Sequence, residues 1–258
     1  MHGFDRHVHH HHQRLYPLMH IVIPDLPWSP YALIVMLALV LGFCEAALLM
    51  RKSGVAKETI TYTLMLTGIT TVVMSVTASV IDSDSITRFG FSGLGAISGV
   101  ISGCMISGMI FRDRPESVMS SFICASSLMY GLSKTGCLLA GCCRGFPYEG
   151  PFAISYGTSH ISYFPAQITD IIVFLTLHIV SLILLNRIRD KMAFIYIIIP
   201  LLTVARFLIE YLRSYNDGKF LGQGHISVII AGGMSLILMI IWKGVVINGK
   251  LRKHRTAG

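Results

Sequence analysis

Residues 30–50 read PYALIVMLALVLGFCEAALLM, an apolar run in which Glu45 is the one charged side chain. A helix needs about 20 such residues to cross the hydrocarbon core of a bilayer. Backbone groups inside lipid must be satisfied within the protein, and a helix does this within a single segment. The run therefore predicts a transmembrane helix.

The rest of the chain repeats this pattern. Hydrophobic residues make up 53% of the chain and charged residues 13%, which is too apolar for an ordinary soluble domain. Seven stretches approach the length of a membrane span, namely 30–50, 60–81, 91–111, 118–143, 165–186, 192–213 and 225–248. The predicted fold is all-α, a polytopic membrane protein of about seven transmembrane helices.

The positive charges indicate which connections face the cytoplasm. They follow the first, third, fifth and seventh spans, as Arg51, Lys52 and Lys57, then Arg112 and Arg114, then Arg187, Arg189 and Lys191, then the cations of 243–255. By the positive-inside rule the N-terminus lies outside and the C-terminus in the cytoplasm. The net charge of +8 is thus a topology signal rather than a sign of nucleic-acid binding, with lipid headgroups as a secondary contact.

Three regions divide the chain. Residues 1–28 form an N-terminal tail whose histidine-rich tract, His7 and 9–12, is an expression tag, a natural metal-binding tract or a disordered tail. Residues 29–248 form the membrane domain, and 249–258 a basic cytoplasmic tail. We find no internal repeat, which argues against an inverted-repeat transporter.

Small residues are grouped in two parts of the chain. Gly95, Gly99 and Gly103 share one face of the third span, where a neighbouring helix can approach closely. Cys137, Cys142 and Cys143 gather near the end of the fourth span. They are metal ligands, partners in an outer-face disulfide or packing residues; we favour packing, and expect neither a metal nor another cofactor.

The longest connection, residues 144–164, is rich in glycine, proline and aromatic residues and is predicted to lie outside. Aromatic side chains suit the boundary between membrane and water. The loop is either an aromatic belt on the bilayer surface or a lid over a site that lipids can reach.

Ionisable residues inside spans are costly, so they usually face a partner or a wet cavity. Arg206, Glu210 and Arg213 have the i, i+4, i+7 spacing that places all three on one face of a helix. The three side chains on this face either form ion pairs only with one another or, as we favour, bind an anion. Guanidinium groups bind phosphate with two hydrogen bonds.

Four further polar residues belong to this set. Lys134 either snorkels outward or shares an anionic ligand with Arg206. Asp170 is expected to neutralise one of these two cations. His178 is expected to be a hydrogen-bonded core histidine, and Glu45 to pair with Arg51 or a polar neighbour.

An ordered set of motifs covers most of the chain after residue 31. In order they are Tyr31, Ser92-Gly93-Leu94, the stretch from Lys134-Thr135-Gly136 through Gly145, Phe152-Ala153, Pro165 with Gln167 and Asp170, Arg206-Phe207 with Glu210 and Arg213, and Gly222-Gln223 with Ser227. The set resembles bacterial prolipoprotein diacylglyceryl transferase, a membrane enzyme that moves diacylglyceryl from phosphatidylglycerol to a cysteine of a lipoprotein precursor.

The resemblance implies a site on the outer face of the bacterial inner membrane. Its catalytic residues would be Arg206, Lys134 and Glu210. The residues that would bind the substrate are Arg213, Tyr31, Gly145, Gln167, Asp170, Cys137 and Cys142. The partners would be phosphatidylglycerol or another anionic phospholipid, and a lipobox-containing precursor or another thiol acceptor, without nucleic acid.

Several positions depart from the family pattern. Phe91 replaces a histidine, Lys134 an arginine, Cys137 an asparagine and Cys142 an acid, while Phe164 replaces a histidine and Leu202 a tyrosine. Lysine keeps the charge of arginine but loses its two-pronged geometry. Three functions therefore remain open: the family's transferase reaction, the same chemistry with another donor or acceptor, and binding of lipid or a partner protein without catalysis.

Overall fold

The computed structural model describes residues 20–83, 92–214 and 220–255. In these ranges it contains seven helices, α1 (Tyr31–Lys52), α2 (Lys57–Ser83), α3 (Gly93–Phe111), α4 (Pro115–Leu139), α5 (Ala166–Arg187), α6 (Lys191–Glu210) and α7 (Gln223–Arg255). Six of them are long and apolar enough to cross a membrane; α3 is apolar but shorter. The predicted all-α membrane fold is confirmed, and the orientation of the termini stays a prediction.

Helix α4 lies at the centre of the bundle. Of its most apolar 18-residue window 56% is buried, against 17–33% for the other five long helices. It packs against α1, α3, α5 and α6, with Phe122 fully buried among their side chains. Residues near the ends of α4 are therefore held on several sides.

The glycine face of α3 packs on α2, as predicted. A Cβ atom at Gly99 would overlap the backbone of Thr70 and Thr71, and one at Gly95 or Gly103 would overlap the same helix. Ser92 caps α3 by accepting a hydrogen bond from Gly95 N. Close approach of two backbones thus holds α3 in place.

Two helices end earlier than their apolar patterns suggest. We predicted that the fourth span reaches residue 143, but α4 ends at Leu139 because Gly141 adopts a left-handed conformation (φ +65°) that stops the helix. We predicted that the sixth span reaches residue 213, but α6 ends at Glu210. Both differences lie where the candidate site is built.

The ends of α4 and α6 and the start of α5 meet at what we call the loop end of the bundle, covered by the connection 140–165. Phe146 N donates to Leu212 O (3.1 Å), and the rings of Phe146 and Phe164 stack with centroids 5.1 Å apart. The loop is thereby fixed to the end of α6.

The N-terminal segment also packs on this loop. Strand β1 (Ile21–Ile23) pairs in parallel with β2 (Ile154–Tyr156), with Ile21 opposite Ile154. Part of the region assigned to a tail is therefore ordered structure. The histidine-rich tract lies outside the described residues.

Candidate active site at the loop end of the bundle

A cavity of about 270 Å³ opens between the helices, and all seven contribute to its wall. Its lining is mainly apolar and includes Val35, Ala38, Leu39, Ile97, Val100, Ile101, Met119, Phe122, Ile123, Met129, Phe174, Ile199, Leu202 and Val228. An apolar wall of this kind suits hydrocarbon chains. Leu202, which we predicted to replace a family tyrosine, is part of it.

Arg206 is the one charged residue among the described residues that line this cavity. Its guanidinium forms an ion pair with Glu210, one turn further along α6. The Glu210 side chain is fully buried, whereas that of Arg206 is 22% exposed. Glu210 therefore fixes the guanidinium in a position where it is still accessible from the cavity.

Arg213 does not share that helical face, so the predicted arrangement of the three residues is wrong. Because α6 ends at Glu210, the chain turns and Arg213 forms a backbone bridge with Gly145. Its guanidinium donates to Asp170 and to the carbonyl oxygen of Cys143. We predicted that Asp170 neutralises Lys134 or Arg206, and this is also wrong. Asp170 forms its ion pair with Arg213, and both side chains are fully buried.

Lys134 is buried, with 8% of its surface exposed, and therefore does not snorkel outward. Its ammonium lies 4.7 Å from the centroid of the Tyr130 ring, a cation–π contact. Among the residues that the structure describes, no carboxylate forms an ion pair with it. Asp170 interacts with the charges of Lys134 and Arg206 at longer range, which joins the cations into one cluster.

Tyr130 is a residue of the candidate site that we did not predict from the sequence. It lines the cavity beneath Lys134, and its hydroxyl is buried without a hydrogen-bond partner among the described residues. The only sequence signal is an aromatic residue one helical turn before an intramembrane lysine.

The three cysteines converge at the end of α4. The sulfur atoms of Cys137, Cys142 and Cys143 all lie within 4.8 Å of one another. Hydrogen bonds with Cys137 and Cys142 lower the pKa of Cys143, whereas hydrogen bonds with Cys137 and Cys143 raise the pKa of Cys142. The positive charges of Lys134 and Arg213 also favour the ionised form of this thiol cluster at Cys143.

The remaining predicted residues lie in or around residues 140–145, which follow α4, contain Cys142 and Cys143 and are called the cysteine loop below. Gln167 donates from its amide to Cys142 O (2.8 Å) and to the hydroxyl of Tyr156 (3.0 Å). Gly145 lies so close to Phe164 that a Cβ atom would overlap its carbonyl oxygen. Tyr31 borders the cavity and also interacts with the three thiols. Gln167 and Gly145 thus shape the loop, while Tyr31 lies between the loop and the cavity.

His178 and Glu45 form a separate pair. His178 Nε2 lies 3.1 Å from a Glu45 carboxylate oxygen, and its Nδ1 lies 3.3 Å from Cys124 O. This confirms a hydrogen-bonded core histidine, and the partner of Glu45 is a polar neighbour rather than Arg51. Glu45 is 14 residues along α1 from Tyr31, about 21 Å by helical rise, so the pair is remote from the loop end.

The sequence was compared with models of protein families. The model of the prolipoprotein diacylglyceryl transferase family matches residues 18–247. The chain belongs to this family. A search of curated proteins finds no match.

Members of the prolipoprotein diacylglyceryl transferase family are transferases that act in lipoprotein biosynthesis. The six long apolar helices among the described residues agree with a multi-pass membrane protein. The matched region includes every predicted site residue. Phe164, which we predicted to replace a family histidine, stacks on Phe146. Phe91, the other residue predicted to replace a family histidine, lies outside the described residues.

Proposed function

We propose that this protein transfers the diacylglyceryl group of phosphatidylglycerol to the thiol of a lipoprotein precursor, at the outer face of the bacterial inner membrane. The observation that carries the proposal is the position of Arg206, a cation held by Glu210 in the wall of a mainly apolar cavity. Family membership supplies the reaction class.

The cavity suits a lipid that carries its charge at one end. Acyl chains would lie against the apolar wall, and the phosphate diester would lie beside Arg206 in the last turn of α6. Guanidinium binds phosphate with well-oriented hydrogen bonds. Lys134, which has no carboxylate ion-pair partner among the described residues, provides a second positive charge near Tyr130.

In the proposed reaction the acceptor sulfur attacks the glycerol carbon that is esterified to phosphate. A carbon–sulfur bond forms, the carbon–oxygen bond to phosphate breaks, and its electron pair stays on the departing glycerol phosphate. Negative charge grows on the phosphate oxygen, where fixed cations stabilise it. Arg206 and Lys134 serve this role, and Glu210 orients Arg206.

Arg213 has a different role in this proposal. Its guanidinium is engaged by Asp170 and Cys143, so it positions the cysteine loop rather than holding the phosphate itself. Its charge still contributes to the positive potential around Asp170. Asp170 fixes Arg213 in this position.

The test uses purified protein in phosphatidylglycerol vesicles with a lipobox peptide. Mass spectrometry measures the peptide thioether, and a coupled assay measures glycerol phosphate. Arg206→Gln should lower the rate by about 10²–10³-fold, because it removes a charged donor from the transition state. Arg189→Gln, in the exposed connection between α5 and α6, is the matched control and should leave the rate unchanged.

One observation favours a second candidate function, binding of lipid without turnover. Leu202 supplies an apolar side chain to the cavity wall where the family has a tyrosine. A binding protein would purify with phospholipid and produce neither thioether nor glycerol phosphate. Vesicles of other anionic phospholipids, and other thiol peptides, test a changed donor or acceptor; no product from any of them would refute the proposed transferase.

A further inference from the structure

The three thiols at the end of α4 have the arrangement of a metal site. Cys137 lies in the last turn of the helix, Cys142 and Cys143 in the loop that follows, and their sulfur atoms lie within 4.8 Å of one another. Zinc binds thiolate sulfur at about 2.3 Å, which for a tetrahedral ion puts two sulfur atoms about 3.8 Å apart. Small side-chain rotations would bring the three sulfur atoms to that spacing.

A disulfide accounts for the cluster less well. Cys142 and Cys143 are consecutive, so their Cα atoms are about 3.8 Å apart, whereas a disulfide usually needs roughly 4.4–6.8 Å. A bond from Cys137 to either of them would leave the third thiol unused beside it. A metal ion uses all three sulfur atoms.

The backbone that carries these sulfur atoms is held by buried side chains. Gln167 donates to the carbonyl oxygen of Cys142, and Arg213 to that of Cys143. Cys143 has a φ of +56°, a conformation that a non-glycine residue adopts only where its surroundings impose it. Partners that fix the ligand-bearing backbone are what a metal site requires.

The surroundings also match the charge of such a site. Three thiolates with Zn²⁺ carry one net negative charge, and both Lys134 and Arg213 interact with Cys143. Soft sulfur ligands select zinc or copper(I) over magnesium or calcium. Among the described residues no histidine or carboxylate joins the group, so three protein ligands leave one tetrahedral position open.

We infer that Cys137, Cys142 and Cys143 bind a zinc ion whose fourth position receives the acceptor thiol. The zinc site follows from the thiol geometry alone; the role of the acceptor rests on the proposed transferase function. Cys142 is exposed, which provides access, and Tyr31 connects the cluster to the lipid cavity.

Phe91 stands at a position predicted to hold a histidine in the family, so the chain lacks that candidate base for the acceptor thiol. The zinc ion would generate the acceptor thiolate instead. A thiol that coordinates zinc loses its proton, here to water, and remains bound as thiolate. Its sulfur then forms the bond to the glycerol carbon as the electron pair of the broken bond goes to the phosphate oxygen. The zinc ion keeps its charge throughout, and the thioether product, a weaker ligand, leaves.

Metal content tests the site independently of activity. The chain of residues 1–258, prepared without chelators, should contain about one more zinc ion per molecule than its Cys142→Ser variant. Cys44→Ser, an exposed cysteine on α1, is the matched control and should keep the wild-type content. Any zinc on the histidine-rich tract is common to all three proteins and cancels in the difference.

Cobalt substitution identifies the ligands directly. Thiolate bound to Co²⁺ gives a charge-transfer absorption that histidine does not, so the band should appear in wild type and Cys44→Ser and weaken in Cys137→Ser, Cys142→Ser and Cys143→Ser. Equal zinc and cobalt signals in Cys142→Ser and wild type would overturn the site. So would a disulfide between two of these cysteines in the native protein, found by alkylation and peptide mapping.

The transfer assay then tests the role of the zinc ion. Removal of zinc should lower the rate by at least about 100-fold, and adding it back should restore the rate. Equal rates with and without zinc would refute the role in thiol activation. A zinc-loaded wild type that makes no product would refute the proposed function but leave the metal site standing.

Discussion

Asp170→Asn should destabilise the protein strongly, because it removes the charge that balances Arg213. Both side chains of this pair have no exposed surface, and the second partner of the Arg213 guanidinium is an uncharged carbonyl oxygen. Removing one member of a buried ion pair costs about 3–5 kcal/mol. Asparagine keeps an oxygen acceptor in the same place, so we expect a loss of about 3 kcal/mol, the lower end of that range.

Asp190→Asn is the matched control. Asp190 is exposed and caps α6 by accepting a hydrogen bond from Met192 N (2.9 Å). Asparagine caps helices as well as aspartate does, so this change should alter stability by less than about 0.5 kcal/mol. The two substitutions are chemically identical and differ in burial and in the charge that they leave behind.

The assay is reversible unfolding by SDS in mixed micelles, followed by circular dichroism and by the fluorescence of Trp242, which is fully buried in α7. Arg213→Gln and the double variant complete a double-mutant cycle. The double variant should recover about 1–3 kcal/mol relative to the sum of the singles, since no uncompensated charge remains. Additive losses, or a cost for Asp170→Asn no larger than for Asp190→Asn, would refute the buried pair.

Two further predictions concern parts of the fold away from the cations. Gly99→Ala should lower the free energy of unfolding by about 1–3 kcal/mol, because the new methyl group overlaps the backbone of α2; Gly233→Ala, with open space around it, should not, and equal effects in SDS unfolding would contradict the packing. Glu45→Ala should cost about 1–3 kcal/mol by leaving His178 without its partner, yet retain transfer activity per folded molecule; a loss of that activity would place the pair in the site.

The sequence was sufficient to predict the helices, since apolar length and the distribution of cations are set by the bilayer. The close packing of α3 against α2 could also be predicted from the sequence, because three glycines at every fourth position leave one face of the helix without side chains. Strand β1 gave no such signal. Its pairing partner lies more than a hundred residues away in the loop, and three residues are too few to show a strand pattern.

The site was less predictable because it depends on where two helices stop. The spacing of Arg206, Glu210 and Arg213 predicts one face only if the helix continues to residue 213, and it ends at Glu210. Each arginine consequently has its own carboxylate partner. The convergence of the cysteine sulfur atoms likewise depends on the turn at Gly141, which spacing alone does not specify.

Lys134 lies where both anions of the proposed reaction would meet. It contacts Tyr130 in the wall of the lipid cavity and interacts with Cys137 and Cys143 in the thiol cluster. A phosphate diester and a thiolate about 5 Å apart repel each other by roughly 3 kcal/mol at an effective dielectric constant of about 20. A cation that reaches both offsets that repulsion as the sulfur approaches the lipid. Lysine suits this position because its point charge acts in both directions, whereas the planar fork of arginine is directed at one partner.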